Sequence, residues 1–279
     1  MKDKLLYYFI NTFFWSLTII AIMIIKPFNS IEIDFPNFFL LIIAFILIHG
    51  FKCLRQYLLL MESRIHINDF IKLYFQTTFC SIVLPYKFGE LYKMYIYGRK
   101  INNYLKGFMV VVVDKVFDAV LLLFLFIPYE YKNNISHSPI TWLLFIFVIG
   151  FIAIYFSFKQ TYYYLNKHFM LNSNSNRTIY VLKILENCNK IYQDVRAMIR
   201  GRELILMLFT TFSWAIEYLF IRLLNSGEIM PYITAVFFGT QNILVQSYIF
   251  IGSVCLIFIL IVLLLTKIGG YNEESNDNI

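Results

Sequence analysis

The sequence predicts an all-α integral membrane protein with about six transmembrane helices and two interrupted, re-entrant apolar segments arranged as an inverted repeat. Three observations predict it. Hydrophobic residues make up 59% of the 279 positions and charged residues only 15%, with a mean hydropathy of +0.67. The apolar residues fall in blocks of about 20, the length that crosses a bilayer as helix. The basic residues gather in alternate loops. The blocks are too long and too uniformly apolar for the alternating pattern of a transmembrane barrel.

The elements follow in order within a single polytopic domain, 1–279. A first span is expected over 5–25. It has the charged start of a signal peptide, but no small-residue cleavage site follows, so it is read as retained. A short loop with Glu32 and Asp34 leads to span two, 38–60, which ends near Lys52, Arg55 and Glu62. A semi-apolar stretch over 67–84 is broken by Pro85 and Gly89, and a polar, basic helix over 90–104 follows. Span three covers 107–128, closed by Pro128, and span four 140–157. The segment 159–203 is polar and basic; within it Leu182, Leu185, Ile191, Val195 and Met198 recur at helical spacing, which predicts an amphipathic surface helix. Span five covers 204–224. A second interrupted stretch, 229–247, carries Pro231, Gly239, Gln241, Asn242 and Gln246, and span six, 248–266, precedes a short acidic tail, 267–279. Each half thus reads span, span, broken apolar stretch, span, the layout that marks a substrate site near the midplane in inverted-repeat transporters; irregular hydrophobic loops at the two broken stretches are the alternative.

Basic residues accumulate in cytoplasmic loops. With the N-terminus inside, twenty of the twenty-four Lys and Arg fall on the inner side, which predicts a multi-pass protein of the cytoplasmic membrane with both termini cytoplasmic. The net charge of +7 is then explained by anionic lipid at that face, and no nucleic-acid partner is expected. His49, His66, His137 and His168 are scattered without metal spacing, and Cys53, Cys80, Cys188 and Cys255 form no CxxC. No metal, cofactor or disulfide is expected. No nucleotide-binding fingerprint is present, which argues against an ATP-driven enzyme.

Two segments carry candidate chemistry. In Pro85-Tyr86-Lys87-Phe88-Gly89-Glu90-Leu91-Tyr92-Lys93, Pro85 removes a backbone donor, Gly89 permits a close backbone approach, and Glu90 falls in the first turn of a new helix, where the dipole favours a carboxylate. Free N–H groups there, with Lys87 and Lys93, make a phosphate site; basic residues reaching toward head groups from a helix break are the alternative. In span three, Asp114 and Asp118 share a helix face beside Lys115. A charge near the bilayer centre costs about 2.5–3.5 kcal/mol on insertion scales, so such groups face an interior. They form either a clasp, with Lys115 neutralised and the Asp pair bonded to the 85–93 segment, or part of a substrate or proton path. Glu217, three residues after Trp214 in span five, is a further candidate, with Arg222 as a potential structural partner.

The run from Ile82 to Asp118 resembles the lysylphosphatidylglycerol synthase transmembrane family, also described as flippase-like. Its members carry Pro-x-Arg-x-Gly-Glu-x-x-Arg and, about twenty residues later, Glu-Arg-x-x-Asp in a membrane helix. Pro85, Gly89, Glu90 and Asp118 match; Lys87 and Lys93 stand in place of Arg, and Asp114-Lys115 in place of Glu-Arg. Lys lacks the planar fork that grips phosphate in two places. Trp214 and Glu217 fall where the family has a Trp-containing helix. The family's glycine-rich motif near its last spans is represented only by Gly239 and Gly252. The resemblance implies a membrane component that binds, and translocates, an anionic lipid or polyprenyl-phosphate-linked glycan intermediate, with cell-envelope synthesis enzymes as potential partners. It assigns Pro85, Lys87, Gly89, Glu90, Lys93, Asp114, Lys115, Asp118 and Glu217 to substrate binding. Lysyl transfer is not expected, because the sequence offers no soluble aminoacyl-transfer domain. Two rivals remain open: a membrane-embedded glycosyltransferase-type enzyme using a lipid-phosphate donor, and a non-catalytic scaffold of a cell-envelope synthesis complex.

Overall fold

The computed structural model describes residues 2–25, 35–84, 88–132, 138–171, 176–224, 246–257 and 259, all of them in helices or short turns. The helices are α1 (Lys2–Ile25), α2 (Phe35–Leu60), α3 (Ile67–Val83), α4 (Phe88–Ile101), α5 (Tyr104–Lys132), α6 (Pro139–Leu171), α7 (Asn176–Ile199) and α8 (Glu203–Leu223), followed by α9 (Gln246–Ile257). Four of them hold segments long and apolar enough to cross a membrane: Lys4–Ile24, Asn37–Ser63, Pro139–Leu171 and Glu203–Leu223. They correspond to the expected spans one, two, four and five. The expected third span is also a helix, α5, of 29 residues; at 1.5 Å per residue it is about 44 Å long. The loop with Glu32 and Asp34, the residues Pro85 and Lys87, most of the second interrupted stretch, the end of span six and the acidic tail lie outside the described residues.

The faces that these helices leave uncovered are apolar. Leu5, Phe9, Ile20 and Met23 on α1, Phe39, Ile43 and Leu47 on α2, and Leu143, Ile146 and Phe156 on α6 are all exposed. A helix facing water carries charge on that side; helices that are apolar inside and outside suit a hydrocarbon surround. The protein is a helical membrane protein on this ground.

The chain divides into two compact units. The first comprises Met1–Gly50, Ile71–Lys93 and Ser213–Ile279. Its core is set by spacing on α2: Leu41, Ala44, Phe45 and Ile48 lie on one stripe and pack with Phe220 of α8 and Tyr248, Ile251 and Cys255 of α9. α1 joins through aromatic contacts, with Phe14 stacked on Tyr92 and Trp15 against Phe79. The Tyr92 hydroxyl donates to Asn11 Oδ1 and accepts from Gln76 Nε2.

The second unit comprises Phe51–Phe70 and Met94–Phe212. Here α5, α6 and α7 pack against one another in pairs, with Phe158 stacked on Tyr192 at 5.0 Å. α4 turns into α5 through Asn102, in the left-handed region at φ 56°, and Asn103 Oδ1 caps α5 by accepting from the Lys106 N–H. Gly107 then sits against the backbone of Gly98. α6 begins with Pro139 at its first position, which needs no donor there. Before it, Ser138 receives the Thr141 N–H on its hydroxyl and gives its own N–H to the buried Glu130 carboxylate.

Two expected boundaries are corrected. Pro128 does not close α5, which continues to Lys132. A proline removes one hydrogen bond, and the turn beyond it is held from outside, since Glu130 Oε1 also accepts from the Thr141 hydroxyl at 2.7 Å. α6 does not end near 157 but runs to Leu171. The residues after 157 change the polarity of the segment but include neither Gly nor Pro, so the backbone has no reason to stop.

Gly89 is the tightest of these approaches. A Cβ there would lie 2.2 Å from Ser81 Cα, so α4 starts in contact with the last turn of α3. Gly89→Ala is expected to destabilise the protein by about 1–3 kcal/mol or more through forced separation of the two backbones. Gly50→Ala, with nothing within 4 Å, is expected to be stabilising by about 0.5–1 kcal/mol because it replaces glycine inside a helix. Thermal unfolding of the two variants in mild detergent checks both signs.

Candidate functional site

In the second unit, the Asp114–Asp118 pair is brought to a cation that lies on α2. Arg55 is 1% exposed, and its Nε donates to Asp114 Oδ1 at 2.7 Å while its Nη1 donates to Asp118 Oδ1 at 2.8 Å. Nη1 also donates to Thr210 Oγ1 of α8 at 2.8 Å, and that hydroxyl donates in turn to the Leu206 carbonyl. The second oxygen of Asp114 accepts from Gln56 Nε2 at 2.9 Å, and Gln56 Oε1 accepts from the Tyr97 hydroxyl at 2.8 Å. Arg can satisfy several acceptors at once because its donors lie in a fixed planar fork. Lys115 stands at the edge of this network. It is 37% exposed, with Nζ 3.6 Å from Asp118 Oδ2.

A clasp is therefore present, and Arg55 of α2 is a partner in it that the sequence reading does not name; Lys115 pairs with Asp118 at its edge. The charge in the cluster is matched, with two cations and two carboxylates. Two signals in the sequence could have found Arg55. Five residues, from Gln56 to Leu60, separate it from the end of span two, so it lies inside the span. One lysine among two aspartates also left a charge without a counterion.

In the first unit, the α3–α4 break brings Gly89 against Ser81 and places Glu90 in the first turn of α4. Ser81 Oγ donates to Glu90 Oε1 at 2.7 Å, so the carboxylate that the helix dipole favours also fastens α4 to α3. Lys93, one turn after Gly89, is 4% exposed, and its ammonium lies 5.1 Å from the centre of the Tyr74 ring, within range of a cation–π attraction. Pro85 and Lys87 are not among the described residues. Glu217 is buried on α8 at 5% exposure. Arg222 does lie over an aromatic ring on its own helix, that of Tyr218 at 5.0 Å.

His49 had no assigned role beyond that of a loop or interface residue. It is buried on α2, with Nδ1 3.0 Å from the Tyr74 hydroxyl and Nε2 2.9 Å from the Tyr248 hydroxyl. The signal that could have found it is its setting, an imidazole flanked on both sides by a long apolar run of span two. Among the described residues, no group of three or more His, Cys, Asp or Glu is placed to hold a metal ion.

Comparisons with protein-family models, with curated proteins and with solved structures found no match.

Removing Arg55 leaves two buried carboxylates facing each other. Arg55→Gln is expected to cost about 3–5 kcal/mol, the range for breaking a buried pair from one side. Adding Asp114→Asn and Asp118→Asn to it is expected to recover part of the loss. Lys100→Ala, which breaks the exposed pair with Asp69, is expected to cost less than about 1 kcal/mol. Thermal melts of the four proteins in one detergent check the order; equal losses for Arg55→Gln and Lys100→Ala would remove the clasp.

Proposed function

We propose that this chain is a flippase-like membrane protein that binds, and translocates, an anionic lipid or polyprenyl-phosphate-linked glycan intermediate across the cytoplasmic membrane. It crosses the membrane six times with both termini inside. The phosphate is held where α4 begins, by Lys87, Lys93 and the first N–H groups of the helix.

The observation that carries this reading is the buried ammonium of Lys93 beside a helix start. Burying a cation in an apolar bundle is costly and marks a functional position more often than a purely structural one. The positive end of the α4 dipole adds to it. The basic face expected on the inner side would gather anionic head groups near the site. The likeness of the 82–118 segment to the lysylphosphatidylglycerol synthase transmembrane family supports the same substrate class. Asp114, Asp118 and Arg55 then serve as a frame, with Lys115, ion-paired to Asp118 and 37% exposed, at its edge.

A second reading is favoured by one observation. The charges around Arg55 are matched, as expected of a structural clasp in a non-catalytic scaffold of a cell-envelope synthesis complex.

Mass spectrometry of the lipids that copurify in mild detergent separates the two. The translocase reading expects one anionic or polyprenyl-phosphate lipid to be retained by the natural protein. Folded Lys87→Ala should lose it by about tenfold or more, the worth of a hydrogen bond to a charged group; Lys115→Ala should lose it less. Bulk lipid alone, unchanged by either substitution, would establish the scaffold reading instead.

A further inference from the structure

We propose that His49 is a proton-binding site at the centre of a buried relay in the first unit, in which Tyr74 and Tyr248 pass its change of protonation to α3 and α9. The groups lie close together. The Lys93 ammonium of α4 lies 5.1 Å from the Tyr74 ring centre; the Tyr74 and Tyr248 hydroxyls lie 3.0 Å and 2.9 Å from the two ring nitrogens of His49; and Glu217 of α8 stands one turn before Phe220, whose ring is 5.2 Å from that of Tyr248. All five polar members are buried, among Phe45, Phe220 and Ile251. Among the described residues, the charged and titratable groups around the imidazole and its two tyrosines include Lys93 from α4, Glu217 from α8 and Cys255 from α9.

A neutral imidazole has one N–H and one bare nitrogen. One tyrosine must therefore donate to the ring and the other accept from it, which makes the relay directional. A proton taken up from the aqueous phase adds to the bare nitrogen, and the ring then donates at both positions. Both hydroxyls must now accept, and the one that had donated turns its own hydrogen to another acceptor. On α8, the helix whose Phe220 packs on Tyr248, the carboxylate is Glu217. The added positive charge also falls next to the Phe45 ring, 4.4 Å from the imidazole centre to centre, where the π face attracts it. Glu217 favours this charge and Lys93 opposes it, so the two ends bias one protonation step in opposite senses. His is the side chain whose charge ordinarily changes near neutral pH.

This inference is tested apart from the lipid reading, in nanodiscs of zwitterionic phosphatidylcholine that supply no anionic lipid. The experiment is NMR of histidine-ring-¹⁵N-labelled full-length protein in nanodiscs, with the His49 signal assigned by its loss in His49→Gln. The expected result is passage of His49 from one neutral tautomer to the doubly protonated ring between about pH 5 and 8. Glu217→Gln should lower the proton affinity of the ring and Lys93→Gln should raise it, each by about threefold to tenfold. Tyr248→Phe, which removes the hydroxyl and keeps the ring, should abolish the effect of Glu217→Gln. A His49 ring fixed in one neutral tautomer over that range in the natural protein overturns the proposal on its own and leaves the histidine as a static bridge. So does a titration that none of the three substitutions moves.

Discussion

The constraint on which the second unit depends is the burial of one guanidinium. Arg55 keeps its charge under all ordinary conditions, so an apolar surround forces counterions toward it. Asp114 and Asp118 answer from one face of α5, four residues apart, and Thr210 answers from α8. This sets the rotation of α5 about its own axis. Gly107 lies seven residues before Asp114, two turns along the same stripe. The rotation that turns the carboxylates to Arg55 therefore also turns Gly107 to its contact with Gly98. A single electrostatic demand and a single steric one are met by the same orientation. That agreement is what lets a helix with three charges in five positions remain in an apolar bundle.

The first unit obeys the same rule by other means. Polar groups in an apolar surround must be satisfied from neighbouring helices, and here most are neutral. Asn11, Gln76 and Tyr92 join α1, α3 and α4; His49 joins α2, α3 and α9. Neutral networks of this kind are cheaper to bury than ions but also cheaper to rearrange, since a tyrosine hydroxyl can exchange the role of donor for that of acceptor without moving a heavy atom. Arg55 has no such freedom, because every one of its donors remains a donor. Rigidity and adaptability are thus divided between the two units by the choice of side chain.

How much of this was legible varied with the physics behind each signal. Helix existence and apolar length were plain, because hydropathy follows directly from the need to cover a hydrocarbon-facing surface; α7 falls within two residues of the amphipathic helix read from Thr178 to Arg200. The break between α3 and α4 was marked by Pro85 and Gly89, and the close approach argued for Gly89 is present. Helix ends were less legible: α5 passes Pro128 because a contact from α6 holds its last turn, and no local signal carries a tertiary contact. The importance of Asp114 and Asp118 as buried groups was readable from their cost, but their partner was not. Arg55 was counted among the basic residues of the inner side, where most lysines and arginines of a membrane protein belong. His49 shows no metal spacing, and its partners are two tyrosines from distant parts of the chain, a pairing that no local pattern carries.

The matched cluster also decides where an anion could be recognised. A phosphate approaching Arg55 would have to displace two carboxylates already hydrogen-bonded to it, and each displaced carboxylate would become a buried, uncompensated charge costing several kcal/mol. No single phosphate contact returns that much. Charge in span three by itself is therefore poor support for substrate binding, even though it is the most conspicuous feature of the sequence. At the start of α4 the balance differs. Glu90 is fastened there by the Ser81 hydroxyl, and the first N–H groups of the helix are donors aimed at an anion. On the lipid-handling proposal, the anion is then received by the start of α4, and Arg55 keeps the two carboxylates that already satisfy it.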